Sequence, residues 1–366
     1  MKIELLQSNL SSAVKKAARF LSTKPQLPIL SCFFLEAVDQ NIWLTATDLQ
    51  MGMRQQIQGT VTEPGACVIP AKVLNELVSS LSGSVELSLN DLALTIKTKQ
   101  IKSVINTFPV QDFPPFPQTE GTAMTLPIEF FNQTVDFVTF ASSRDESRPI
   151  LTSVLFELAK NAKVVSTDGY RLAVLQAELD VAEPQTLLFP AKALDEITKV
   201  IQSESVKSVQ LSLSEGAKQV FFSLPNSQIV LRTLEGEFPN YQKIIPASFA
   251  TEVRLDAQEF EHHVKSAMIF SNEGSSIVLI EISPDQVVVS AKSSLLGEYE
   301  SSLKAKSNTE EVMTIAFNGR YILDFLQRIS GKECILRCND PLKSAQLSCT
   351  EVPGFFYIVM PFRLNS

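Results

Sequence analysis

Two histidines, one tryptophan and five scattered cysteines are all that this chain of 366 residues offers to the commonest side-chain chemistries. The histidines are adjacent, His262–His263, on the polar side of one helical pattern, so imidazole acid–base catalysis has little material. Cys32, Cys67, Cys334, Cys338 and Cys349 form no CxxC pair and no Cys/His cluster. They read as free thiols of a reducing cytoplasm, not as metal ligands. In CILRC, Cys334 and Cys338 share one face if the segment is a strand. Also missing are GxxxxGK[ST], a GxGxxG after a strand, a GxSxG elbow and DxD-type paired carboxylates. No run reaches the ~18 apolar residues of a membrane span, and MKIELLQSNLSS has no apolar signal region. A soluble cytoplasmic protein without metal or cofactor is expected. Basic excess is lacking too: the net charge of −8 argues against coating nucleic acid by bulk attraction, though not against a locally basic surface.

What is present is repetition, and repeats decide a fold before motifs do. PILSCFFLE from Pro28 returns as PILTSVLFE from Pro149, and Thr47-Asp48 of TATDLQMGM returns as Thr167-Asp168 of VSTDGYRLAV. VIPAKVLNELVSSL matches LFPAKALDEITKVI, with Lys72 and Lys192 in register, and DFPPFP matches EFPNYQ. A weaker third copy follows: SSIVLIEISPDQVVVSAKSSL has the same strand–turn–strand rhythm, and FNGRYILDFLQRI replaces the PAK helix, with Arg320 matching Lys192. Three domains are expected, at residues 1–121, 122–248 and 249–366, with boundaries in the Pro-rich segments FPPFPQTEG and FPNYQKIIPAS.

Each copy reads helix, strands, helix, strands. The first helices carry apolar stripes at helical spacing: Val14/Ala17/Ala18/Leu21, Phe131/Val135/Val138 and Phe260/Val264/Ala267/Met268, the last opened by Asp256 as N-cap. The second helices show Leu74/Leu77/Val78/Leu81, Leu194/Ile197/Ile201 and Ile322/Phe325/Leu326/Ile329. Alternating runs such as SVELSLNDLALTIKT predict β-hairpins. The fold class is α+β: two helices packed on antiparallel sheet, three times over.

LPIL near residue 30, TATDLQM, SRPIL, STDGYRLAV, EFPNYQKIIP and the terminal VMPFRL, in this order along the whole chain, resemble the bacterial DNA polymerase III β-subunit family, the sliding clamps. The resemblance implies three tandem DNA-clamp domains per chain and two chains closing head to tail into a ring around duplex DNA. Simple geometry agrees. At ~9 Å between helix axes, a lining of six helices leaves no room for a duplex, whereas twelve leave a hole of roughly 24 Å. Such a ring retains DNA by closure, and lining cations add a weak, sequence-blind, salt-screened attraction. Lys15, Lys16, Arg19, Lys72, Lys192, Lys199, Lys265, Arg320 and Arg328 on polar helix faces are candidates. The resemblance adds Lys24, Arg144 and Arg148 as DNA contacts.

The resemblance also implies a pocket where short apolar peptides of the DNA polymerase III α subunit, the clamp loader, other polymerases and repair proteins dock. Its residues would be Leu151, Thr167, Gly169, Tyr170, Arg171, Leu172, Pro239, Lys243, Ile244, Leu342, Ser344, Ile358, Val359, Met360, Pro361, Phe362, Arg363 and Leu364. In the bland alternative, Leu172, Ile244 and Val359 are core and Asp168-Gly169 is a hairpin turn. For Asp168 the turn is the favoured reading, because Thr47-Asp48 needs only that. For Tyr170, Arg171 and Met360 the pocket is favoured, since the first repeat has Gln50 and Met51. Lys102 and Ile105 of one chain would meet Ile269 and Phe270 of the other, with Glu298 and Glu300 opposite the basic side. The reading is of a non-catalytic, cytoplasmic and nucleoid-associated processivity factor with no cofactor. A scaffold that meets nucleic acid only through partners, and a metal-free hydrolase built from scattered carboxylates, are the competing readings.

Overall fold

A computed structural model describes the chain apart from residues 23–24, 119–120, 122, 215, 217, 272–275, 330 and 364–366. Lys24 and Leu364 therefore lie outside the described residues. Among the described residues six α-helices occur: α1 (Gln7–Ala17), α2 (Ala71–Ser80), α3 (Ile128–Phe137), α4 (Ala191–Ser203), α5 (Ala257–Ile269) and α6 (Gly319–Leu326). None is long and apolar enough to cross a membrane.

The helix–sheet rhythm recurs three times, with one element the sequence reading missed. Each repeat opens with a strand, Lys2–Leu6, Ala123–Pro127 or Thr251–Asp256, directly before its first helix. In Lys2–Leu6 burial alternates strictly, Ile3 and Leu5 inward, and five residues are too few to announce a period of two beside an 11-residue helix. The α1 stripe is also displaced from expectation. Leu10, Ala13, Val14, Ala17 and Phe20 are buried, while Ala18 and Leu21 are not, because the last turn tightens to a 3-10 helix at Ala18–Phe20. In α3 Phe131 is buried as expected, as is Val138 just beyond it, but Phe130 and Thr134 take the place of Val135. Asp256 caps α5 as expected, accepting from the Glu259 N–H at 2.8 Å, and Asn318 caps α6 by accepting from Arg320 N–H at 3.0 Å. Each such cap contributes about 1 kcal/mol.

Compact units do not coincide with sequence repeats. One unit comprises residues 1–128 and 192–233, the other 129–191 and 234–366. In the first, strands of two repeats join into one eight-stranded sheet: Ala123–Pro127, Ser208–Leu213, Gln219–Ser223, Ser227–Arg232, Met51–Ile57, Asn41–Thr47, Cys32–Val38, Gly65–Pro70. The seam is antiparallel pairing of Ser227–Arg232 with Met51–Ile57. A five-stranded sheet accompanies it, with Lys102–Asn106 as one edge.

The second unit repeats the device. Its nine-stranded sheet runs Gln185–Pro190, Ser153–Leu158, Asn161–Thr167, Arg171–Glu178, Phe355–Val359, Ala345–Ser348, Glu333–Cys338, Thr251–Asp256, Lys306–Ser307. Here the seam pairs Arg171–Glu178 with Phe355–Val359. A four-stranded sheet ends on the edge strand Gly297–Lys304. Each seam hydrogen-bonds across a repeat boundary, so an edge that would invite aggregation becomes sheet interior.

All five cysteines are free and buried. Cys334 and Cys338 do share the buried face of Glu333–Cys338. Burial pushes the Cys67 thiol up to about 12 and Cys338 up to about 11, so neither supplies a thiolate near neutral pH. Among the described residues no group of three His, Cys, Asp or Glu side chains is placed to hold a metal ion.

Candidate functional site

The STDGYR segment is a hairpin turn between Asn161–Thr167 and Arg171–Glu178. Thr167 Oγ1 donates to the Arg171 carbonyl (2.6 Å) and accepts from Gly169 N–H (3.0 Å). Asp168 Oδ1 accepts from the N–H groups of Tyr170 (2.9 Å) and Arg171 (3.1 Å). Gly169 at φ +95° supplies the left-handed step without steric cost. So locked, the turn exposes Tyr170 (59%) while directing the Arg171 side chain inward.

Arg171 is a hub. Its Nε donates to Asp168 Oδ2 (2.9 Å), Nη2 to the Phe140 carbonyl (3.0 Å) and Nη1 to Asp324 of α6. Its guanidinium also lies over the Tyr321 ring, 4.6 Å from the centroid. Burial opposes its charge, yet its pKa is raised, because Tyr357, Asp324 and Asp168 surround it. Full burial raises the Tyr357 phenol and keeps it neutral, with its hydroxyl donating to the Tyr321 carbonyl at 3.2 Å. The charges that balance Arg171 are therefore the two aspartates. Asp168 is thus the turn residue that the sequence reading favoured, and its second oxygen also holds Arg171.

Around the turn the expected pocket residues divide into two layers. Leu172, Ile358 and Val359 are fully buried, and Thr167 and Ser344 nearly so, behind the exposed groups of this region. Leu172 and Ile358 belong to one cluster with Leu155, Val165, Val174, Leu188 and Tyr241. Tyr241 donates to Glu157 at 2.7 Å; burial and that carboxylate push its phenol up to about 12. Outside this floor stand exposed apolar groups: Tyr170, Ile244 (41%), Leu342 (62%) and Met360 (40%). Hydrogen bonds join the segments that carry them. Met360 N–H donates to the Tyr170 carbonyl at 2.9 Å, Ser344 Oγ to the Ile244 carbonyl at 3.1 Å, and Ala345 pairs with Val359. Pro239, Lys243, Gly169 and Arg363 are exposed, and Leu151 and Pro361 half-buried. Phe362 is exposed, and its N–H donates to the Ala316 carbonyl on the strand Met313–Asn318.

Beside the turn, an open cleft of about 550 Å³ gathers Arg144, Arg148 and Arg320 with Asp168, Tyr170, Arg171 and Asp324. Three residues expected to meet DNA thus share one wall with the expected peptide pocket. Arg148 pairs with Asp145 at 3.4 Å, whereas the side chains of Arg144 and Arg320 make no ion pair among the described residues. Other candidate cations are already engaged. Lys16 pairs with Glu204, Arg19 with Glu196, and Lys199 with Glu196, each at 2.6 Å, and Lys265 with Glu261 at 2.5 Å. Lys15, Lys72, Lys192, Arg320 and Arg328 are exposed, and the Arg328 guanidinium lies over the Phe140 ring at 5.2 Å.

Lys72, Lys192 and Arg320 occupy the second position of α2, α4 and α6, whose first turns contain no acid. A cation there opposes the helix macrodipole at a cost of roughly 0.3–1 kcal/mol. Helix stability does not explain its placement in all three repeats.

The expected chain–chain contacts fall on two edge strands and the end of α5. On Lys102–Asn106 the Lys102 side chain is exposed, Ile105 is buried in its own sheet, and Val104 (58%) is the apolar group facing out. Strand alternation decides this, and no resemblance could fix its phase. On Gly297–Lys304, Glu298 and Glu300 are exposed, and Glu298 pairs with Lys292 at 3.2 Å. Ile269 is exposed at the end of α5; Phe270 stacks on Tyr299 at 5.9 Å, whose hydroxyl meets His263 Nδ1 at 3.1 Å.

Sequence reasoning missed Asp324, Tyr321, Phe140 and Glu157. Each meets its partner from a distant part of the chain, and nothing local marks it.

Comparison with known proteins gives one answer throughout. Family models match residues 1–117 as the N-terminal, 125–240 as the central and 242–363 as the C-terminal domain of the DNA polymerase III beta subunit. The beta sliding clamp of Synechocystis is 29% identical, with each chain covered completely. That of Bacillus subtilis is 26% identical, covering 99% of this chain and 100% of the relative. The crystal structure of the Thermotoga maritima beta subunit superposes with a TM-score of 0.92 at 28% identity, over the full length of both chains. The Bacillus subtilis sliding clamp superposes at 0.94 and 23% identity, also over both full lengths.

Proposed function

We propose, since the chain belongs to the DNA polymerase III beta-subunit family, that two copies close head to tail into a ring around duplex DNA and tether the replicative polymerase to it. The family is a non-catalytic processivity subunit, and tethering acts by raising the polymerase's effective concentration at the primer end. Within the chain, the clamp domains span 1–121, 122–248 and 249–366, and the protein works in the cytoplasm on the nucleoid.

The observation that carries DNA encirclement is the cation at the second position of α2, α4 and α6, kept against the helix dipole in every repeat. Three such positions per chain give six in a ring, a weak lining compatible with sliding. Arg144 and Arg148 add further contacts. Closure joins the edge strands Lys102–Asn106 and Gly297–Lys304 of different copies, with Lys102 toward Glu298 and Glu300, and Val104 toward Ile269 and Phe270. Opposite charges and an apolar centre suit a heterologous contact that closes after two subunits.

Partner peptides of the polymerase α subunit, the clamp loader and repair proteins dock on Tyr170, Ile244, Leu342 and Met360, over the floor of Leu172 and Ile358. Apolar walls with few polar edges give modest affinity, and Met360 repacks for different sequences. The test is retention on DNA: protein placed on a closed circular duplex stays bound through gel filtration and leaves when the circle is cut. Equal loss from circular and linear duplexes contradicts encirclement and favours a scaffold that meets DNA only through partners.

A further inference from the structure

The clearest unassigned device in the molecule is the contact between the Arg171 turn and helix α6. Nothing in the expected pocket accounts for Asp324 or Tyr321, yet both converge on one arginine that is only 10% exposed. We propose that Asp324 and Tyr321 are positioning residues for the peptide pocket: they clamp Arg171, and through it hold the turn that presents Tyr170. This rests on the pocket reading above.

The argument begins with what the turn can do alone. Residues 47–51 of the first repeat make the same bonds without an arginine: Thr47 Oγ1 donates to the Met51 carbonyl (2.9 Å), and Asp48 Oδ1 accepts from the N–H groups of Gln50 (2.9 Å) and Met51 (2.7 Å). Seam bonds match as well, Arg232 N–H to the Gln50 carbonyl at 2.7 Å and Met360 N–H to the Tyr170 carbonyl at 2.9 Å. A Thr-Asp turn therefore needs no cation to form. In the second repeat Arg171 replaces Met51, and its guanidinium ties the second oxygen of Asp168 to Asp324.

The partner position on the helix has also changed use. Glu196 occupies the place in α4 that Asp324 occupies in α6, and it pairs with Arg19 and Lys199. In the third repeat the equivalent acid, Asp324, meets the second repeat's turn itself. Tyr321 covers the guanidinium face at 4.6 Å, and the Phe140 carbonyl takes another N–H. Planar, bidentate-capable arginine suits such a hub, and lysine would not replace it. The clamp fixes the turn's approach to Met360 and hence the distance between the two exposed walls.

The test compares full-length Asp324→Asn and Asp324→Glu with the parent chain. Fluorescence polarisation with a labelled Leu- and Phe-containing hexapeptide measures binding; thermal unfolding measures stability. Asp324→Asn is expected to weaken the peptide roughly three- to tenfold, the range of one charge-assisted bond. Melting should fall by no more than about 2 °C, since Asp324 is part-exposed, and Asp324→Glu should recover most of the affinity. Unchanged affinity in Asp324→Asn overturns the proposal, as does a loss that only follows unfolding. If the parent chain itself fails to bind, the pocket reading falls, and amide exchange decides the positioning role. Exchange at Tyr170 and Arg171 faster in Asp324→Asn supports it, and equal rates overturn it.

Discussion

Residues 47–51 and 167–171 make one turn twice, and the second adds a side-chain tie to helix α6. Both lock a Thr hydroxyl and an Asp carboxylate onto the same backbone groups, and both abut a seam strand from the following repeat. In the first, the side chain after the turn is Met51, and nearby repeats are stapled between helices by Lys16–Glu204 and Arg19–Glu196. In the second, Arg171 brings the ion pair into the turn. Backbone geometry is thus a common scaffold, while one substitution decides whether the turn is also tied by an ion pair to α6.

Substitutions can break this contrast at several strengths. Leu172→Ala has the largest expected effect, about 3 kcal/mol in urea unfolding, because a fully buried side chain in the cluster around Leu155 and Ile358 leaves a cavity. Arg171→Met, which rewrites the second turn as the first, strands Asp168 and Asp324 and is expected to cost about 2–3 kcal/mol, with peptide binding weakened as well. A cost below about 0.5 kcal/mol would mean that the arginine is dispensable and the two turns are equivalent. Met360→Ala sharpens the comparison from the other side. Its stability change should stay within ~0.5 kcal/mol, since the side chain is part-exposed, while peptide affinity falls about tenfold.

The smallest effect is electrostatic. Although burial opposes it, Lys199 and Arg19 hold the Glu196 carboxyl below the usual range, and the Arg337 hydrogen bond does the same for Glu252. Groups with a lowered folded pKa stabilise fully above their unfolded value of about 4.3 and lose that contribution as pH falls through the folded value. Urea midpoints should therefore hold between pH 7 and 5 and decline below about pH 4. Arg19→Ala should shift the midpoint at pH 7 and leave it nearly unchanged at pH 3.

Repetition was the most legible property of the sequence, because matched motifs such as PAK and Thr-Asp survive at one offset. Helix faces were readable from apolar spacing, apart from the shift that the 3-10 turn at Ala18–Phe20 introduces. The merging of sheets across repeats was not, since Leu231 pairing with Met51 is a contact between distant residues with no local trace. For the candidate site, Tyr170 and Arg171 stood out by diverging from Gln50 and Met51 of the first repeat. That Leu172, Val359 and Ile105 are buried shows only in the observed fold. Asp324 was invisible: in ILDFL it is one acid on a helix, and its meaning comes from Arg171, far away in the chain.

The central claim is a two-chain ring, and mass in solution tests it most directly. Light scattering from micromolar to nanomolar concentration should give twice the 40.4 kDa chain mass, with dissociation only at the dilute end. A mass of 40.4 kDa at every concentration would contradict the account, because three domains of a single chain cannot surround a duplex.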